Sequence, residues 1–123
     1  MATVATTNIS IQKTVTATNV AIARGTRVTL NSSGLVAASA IGVRGDYIAL
    51  QDIAASGTGV AAPIGAGGSL PVIASETTAV GDAAYSAASG LTSKTSTNAV
   101  LMGKWLQIGA ANALAVIELE SVA

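Results

Sequence analysis

Apolar residues in this chain come in short β-branched or aliphatic runs, each closed within a few positions by Gly, Ser, Asn or Thr. Runs of that length between turn-forming residues predict many short strands. Val28–Leu30 leads into Asn31-Ser32-Ser33-Gly34, a turn whose glycine is free to take positive φ. The other strand candidates are Tyr47–Leu50, Val60–Ile64, Leu70–Ala74, Ala83–Ser86, Val100–Met102, Trp105–Ile108 and Leu114–Leu119. In the last of these, Leu114, Val116 and Glu118 alternate with Ala115, Ile117 and Leu119, the period of a strand with two unlike faces. Helical spacing is never sustained before a glycine interrupts it, so helix is confined to short turns near Gln51–Ala55 or Thr77–Gly81. The fold expected is all-β, a small β-sandwich or barrel.

The chain also echoes itself. Gly25 through Leu35 lines up with Gly81 through Leu91, and the offset is 56 at both glycine pairs, Gly25 with Gly81 and Gly34 with Gly90. Gln51–Ala55 resembles Leu106–Ala110, with the offset slipping by one. The expectation is a domain built from two related β-meander halves. Gly65 to Ser69 is expected as a tight hairpin turn. Residues 21–123 then form a single all-β domain. Residues 1–20 differ: Ala2 to Asn19 is rich in Thr, Val and Asn and lacks glycine. It is either the first strand of the sheet or an extended N-terminal arm that adds to a neighbouring subunit. On the arm reading, Val4, Ile9, Ile11 and Val15 are its interface side chains.

Composition narrows the chemistry. Neither cysteine nor histidine occurs. Disulfides, thiolate metal sites, cysteine nucleophiles and the commonest general base and metal ligand are therefore unavailable. Charged residues are 10% of the chain and balance to zero, against a globular norm of about 25%. A neutral chain lacks the basic footprint of nucleic-acid binding, and it lacks the self-repulsion that keeps copies apart. The longest uncharged run, Ile53 to Ser75, has the length of a membrane span. Its glycines and its two prolines, Pro63 and Pro71, make two short strands around a Gly-rich turn the better reading.

The remaining motifs are weak. Glu118 and Glu120 share a strand face, which reads as a solvated C-terminal edge before it reads as a carboxylate pair. Gly65-Ala66-Gly67-Gly68-Ser69 fits neither the dinucleotide nor the phosphate-loop pattern. Arg44-Gly45-Asp46 spells an adhesion tripeptide, and Asn8 and Asn31 head glycosylation sequons; all arise easily by chance. Trp105 and Tyr47 are bulky residues in a chain with 2% aromatics. Trp105 is expected first in the core, and both are interface candidates because one end of each ring system packs while the other hydrogen-bonds. No catalytic, cofactor or metal residue is assigned, and the chain reads as a non-enzyme.

Ala49 to Gly57, then Val60 to Ile64, a Gly turn and Leu70-Pro71-Val72-Ile73-Ala74, resemble the first half of the small capsid cement, or head-decoration, proteins of tailed bacteriophages. Val80-Gly81-Asp82-Ala83-Ala84-Tyr85, Ser89-Gly90-Leu91-Thr92 and the closing Ala115–Leu119 strand resemble the second half. The likeness covers roughly Gly25 to Leu119, with Ala84 where the family has Val and an expanded stretch around Arg44 to Ile48. It implies a structural virion protein on the outer surface of the capsid, cementing neighbouring major capsid subunits. The partners implied are the major capsid protein and further copies of the chain, as a trimer or dimer, with no cofactor, nucleic acid or membrane. The second expectation is a β-rich adhesion or receptor-binding module of a head or tail fibre.

Overall fold

The computed structural model describes residues 12–120. Ten strands follow in chain order: β1 (Lys13–Thr16), β2 (Arg27–Leu30), β3 (Val36–Ala38), β4 (Tyr47–Ala49), β5 (Thr58–Pro63), β6 (Gly68–Ile73), β7 (Ala83–Ser86), β8 (Thr92–Ser93), β9 (Leu101–Trp105) and β10 (Leu114–Leu119). The only helical elements among the described residues are 3-10 turns at Ile64–Ala66 and Ala88–Gly90. Neither Gln51–Ala55 nor Thr77–Gly81 is helical; the turns there are closed by single bonds, from the Gly57 N–H to the Ala54 carbonyl and from the Asp82 N–H to the Ala79 carbonyl. Backbone groups in those stretches pair instead across the loops: Ile53 exchanges hydrogen bonds with Ile22, and the Thr78 N–H donates to the Gly109 carbonyl.

The strands make two five-stranded sheets, ordered β1-β5-β4-β2-β3 and β6-β10-β9-β7-β8, with antiparallel neighbours throughout. The second order is the first with every strand number raised by five. In each sheet a parallel bridge joins the two edges, Ala17 to Val36 in one and Ala74 to Thr92 in the other. The Thr18 N–H donates to the Val36 carbonyl at 3.2 Å, and the Ser75 N–H to the Thr92 carbonyl at 2.9 Å. Each half of this all-β fold thus curls into a small, nearly closed barrel, which covers the sheet edges. The strand order is not that of an uninterrupted meander. β4 returns beside β2 on the side away from β3, which leaves β3 free to meet β1 and close the barrel.

The repeat runs through both barrels at one offset. Arg27 faces Ile48 and Val28 faces Tyr47, while 56 residues on Ala83 faces Lys104 and Ala84 faces Gly103. The Gln51 side chain accepts from the Val60 N–H at 2.9 Å, and Gln107 accepts from Val116 at 3.1 Å. The structural partner of Gln51 is therefore Gln107, and the slip by one expected from sequence disappears. The glycine echo has a backbone cause: Gly34 and Gly90 close equivalent turns at φ 80 and φ 76.

Equivalent core positions trade volume. The first barrel packs Ala49 beside Ile53, where the second packs Trp105 beside Gly109. A Cβ on Gly109 would lie 3.5 Å from the Trp105 ring and 2.6 Å from the Thr78 hydroxyl. The indole therefore occupies space that Ile53 fills in the first barrel. The first core gathers Val15, Ala17, Ile22, Val28, Val36, Ala49, Ile53 and Ala61. The second gathers Val72, Ala74, Ala84, Met102, Trp105, Ala115, Ile117 and Leu119, and also takes in Ile48 and Ile64 from the first half.

Several local expectations change. Val100–Met102 and Trp105–Ile108 are not two strands. A single strand, β9, runs from Leu101 to Trp105 through Gly103, where a Cβ would stand 1.8 Å from the Glu118 carbonyl oxygen. That glycine permits close strand approach and does not mark a turn. Gly65 to Ser69 is no hairpin either: β5 pairs with β1 and β4, β6 pairs with β10, and the segment links one barrel to the other. β10 is an inner strand rather than an edge, with Glu118 and Glu120 exposed and Ala115, Ile117 and Leu119 buried. Lys13–Thr16 is a strand of its own sheet, paired with Thr58–Ala61.

The barrels meet at Arg27. Its guanidinium is fully buried, and burial pushes it down to about 10, so it remains charged at neutral pH. Nε donates to the Leu91 carbonyl at 2.9 Å, Nη1 to Val43 and Arg44, and Nη2 to Ala40 and Ala87. A guanidinium has five N–H donors, and each finds a backbone carbonyl. Replacing Arg27 with Met strands those carbonyls and is expected to cost at least about 3 kcal/mol in urea unfolding, with Arg27→Lys failing to restore it because an ammonium carries three donors on one point. Inside the second barrel, the Thr92 hydroxyl is buried without a partner where the first barrel has Val36. Thr92→Val is expected to stabilise the protein by about 1 kcal/mol in the same assay.

Candidate functional site

The charged side chains mostly serve the chain's own backbone. The Asp46 carboxylate accepts from the Leu30 N–H at 2.8 Å and Asp52 from the Arg24 N–H at 2.8 Å. Asp82 accepts from the Ala79 N–H, and Glu76 from the Thr95 hydroxyl at 2.6 Å. Among the described residues no group of three or more His, Cys, Asp or Glu side chains is placed to hold a metal ion. The Arg44-Gly45-Asp46 tripeptide is tied to neighbouring segments, with Asp46 exposed. Arg44 Nη2 donates to the Glu120 carbonyl, Asp46 holds Leu30, and a Cβ on Gly45 would meet the Ser39 hydroxyl at 2.8 Å. Asn31 caps its own turn by accepting from the Ser33 and Leu35 N–H groups.

A shallow groove of about 390 Å³ follows the seam, walled by Val20, Ile22 and Ala38 on one side and Ile73 and Leu91 on the other. Its polar atoms come from Thr18, Thr26 and Ser89, and no charged side chain lines it. Such a lining offers contact area but little to orient a small polar ligand.

The exposed apolar side chains are more distinctive. Val80 is 64% exposed and Ile108 73%, with Leu106 also exposed beside them. The backbone brings them together: the Gly81 N–H donates to the Trp105 carbonyl at 2.8 Å and the Thr78 N–H to the Gly109 carbonyl at 3.1 Å. Segment 78–81 therefore lies along segment 105–109. In the first barrel the same two backbone positions are Arg24 and Asp52, joined by the hydrogen bond from the Arg24 N–H to the Asp52 carboxylate. Arg24 and Asp52 are thus bonded to each other in one barrel, while their equivalents in the other, Val80 and Ile108, are exposed aliphatic residues. Leu106 matches Leu50, and the Asp82 carboxylate is bonded next to Val80.

The sequence-derived interface residues fall elsewhere. Trp105 is fully buried and its Nε1 donates to the Ser93 carbonyl at 3.2 Å, the core position expected first. Val15 is buried in the first core, and Tyr47 is half-buried against it. Val4, Ile9 and Ile11 lie outside the described residues. Val80, Leu106 and Ile108 received no functional reading from sequence. Carrying the 56-residue offset beyond the glycines, from Arg24 to Val80 and from Asp52 to Ile108, is the signal that marks two of them; Leu106 falls opposite Leu50.

No protein-family model matches the chain, and no curated protein matches its sequence. Among solved structures it is similar to the head fiber gp8.5 N base of bacteriophage phi29. The TM-score is 0.71 with 16% sequence identity, over 89% of this chain and 95% of that one. The tandem of small β-barrels described above is thus similar in fold to the base module of a phage head fiber.

Proposed function

We propose that this chain is a structural, non-enzymatic virion protein of a phage head, which sits on the outside of the shell and cements neighbouring major capsid subunits. The observation that carries the reading is the likeness of fold to the phi29 head-fiber base along almost the whole of both chains. Composition agrees: a neutral chain with 10% charged residues suits life packed against other protein surfaces. Many copies, as trimers or dimers on a symmetric shell, add small contacts into firm attachment. A second reading has the chain mount a fibre or receptor-binding element on the head, and the same likeness to a fibre base favours it. The discriminating measurement is co-sedimentation of purified protein with expanded and unexpanded shells, followed by thermal melting of the shells. Decoration and cementing predict binding at micromolar concentration and a higher shell melting temperature. A chain that binds shells without raising that temperature fits the fibre mount, and one that leaves shells bare at micromolar concentration is no head protein.

A further inference from the structure

The two barrels finish their closing edges differently. Past the bridge between Ala74 and Thr92, the Glu76 carboxylate accepts from the Lys94 N–H at 3.3 Å and from the Thr95 hydroxyl at 2.6 Å. It plugs the gap beside β8. The first barrel has the same bridge, between Ala17 and Val36, and Ala38 stands at the repeat position of Lys94. Its backbone bonds match Thr18 with Ser75 and Ile22 with Thr78. Between those points the second barrel has Glu76 and Thr77, and the first has Asn19, Val20 and Ala21, so the plugging carboxylate is missing. The Ser39 N–H donates to the Arg27 carbonyl, a register that turns the Ala38 N–H and carbonyl away from β2, on the side of the seam groove that Ala38 lines. Among the described residues the Ala38 N–H meets no acceptor.

An open strand amide beside an apolar groove is met by an extended backbone, which brings a carbonyl at strand spacing. No charged side chain lines the groove, so an uncharged strand is what it accepts. Residues 2–11 of this chain have that character. They include no charged residue, no glycine and no proline, and Val4, Ile9 and Ile11 are β-branched. The groove they suit is that of another copy. Gln12 precedes β1, while Thr18, which lines the groove, lies past its far end, roughly 20 Å away at about 3.3 Å per residue. A segment folding back along its own β1 leaves Ile9 and Ile11 at the wrong end of that strand. Only a neighbouring copy's groove takes all three aliphatic side chains.

We propose that residues 2–11 of one copy enter the seam groove of a neighbouring copy and pair with the outer edge of β3 at Ala38. Passing the same segment from copy to copy around a closed ring fills every groove once. This contact joins copies of the chain without any shell, so it stands or falls separately from the head-protein reading. The chain has no cysteine, so engineered pairs report the contact directly. Val20→Cys is combined with Val4→Cys in one full-length variant and with Ile9→Cys in another, and both are oxidised at micromolar concentration without shells. At least one pair is expected to give covalently linked copies on a non-reducing gel. A disulfide confined to single chains assigns the groove to its own segment and overturns the exchange. No disulfide in either folded variant overturns it equally. A separate variant, Val20→Glu, gives the first barrel a carboxylate like Glu76. Val20 is 65% exposed, so the melting temperature is expected to stay within a few degrees of the parent. Self-association in analytical ultracentrifugation should weaken about tenfold or more, and Ile9→Asp should weaken it similarly. A folded Val20→Glu that associates like the parent overturns the proposal, as does a parent that stays monomeric at micromolar concentration.

Discussion

The guanidinium of Arg27 is buried with backbone carbonyls as its hydrogen-bond partners among the described residues, and it fixes the two barrels against each other. Desolvating a charge costs several kcal/mol unless every donor is met. Here the acceptors are carbonyls of the 40–44 loop from the first half and of Ala87 and Leu91 from the second. The chain must bring these segments together to satisfy one side chain, so the arrangement is specific as well as stable. Neighbouring bonds support it: Ser86 Oγ donates to the Ile41 carbonyl, and Arg44 reaches the Glu120 carbonyl. The equivalent of Arg27 in the second barrel is Ala83, so this tie exists once.

That single occurrence reflects a wider asymmetry. The halves repeat each other's hydrogen bonds almost residue for residue, yet they do not use equivalent surfaces to meet. A Cβ on Gly25 would lie 2.6 Å from Leu114 across the seam, while one on Gly81 would meet nothing within 4 Å. Ile48 and Ile64 of the first half enter the second core, whereas the matching residues, Lys104 and Glu120, face solvent. The first barrel is built to receive a successor. The second presents Lys104 and Glu120 at the positions by which the first barrel enters its neighbour's core.

The same divergence separates the interior from the exterior. Within the barrels, substitutions between halves are compensated, as with Ala49 and Ile53 against Trp105 and Gly109, because a packed interior punishes uncompensated changes of volume. At exposed positions such as Val80 and Ile108, which stand where the first half has Arg24 and Asp52, no such packing constraint applies. Differences there are free to follow binding, and this is the physical ground for seeking the contact surface outside the core.

The sequence by itself determined the all-β class, the short strands, and the bounds of β7 and β10, since alternation and turn chemistry act within a few residues. It also determined the duplication, through the spacing of Gly25, Gly34, Gly81 and Gly90, and it withheld histidine and cysteine. It did not reveal β3 or β8, which are too short and too rich in Ala, Thr and Ser to be read by propensity and exist because β2 and β7 pair with them. Nor did it reveal that Gly103 lies within a strand, that Arg27 is the seam, or that Val80 and Ile108 are neighbours. Barrel closure at Ala17–Val36 and Ala74–Thr92 joins positions distant along the chain. Only the tertiary structure decided these, because each depends on which backbone groups find partners across the fold, and local preference carries no record of a partner that far away.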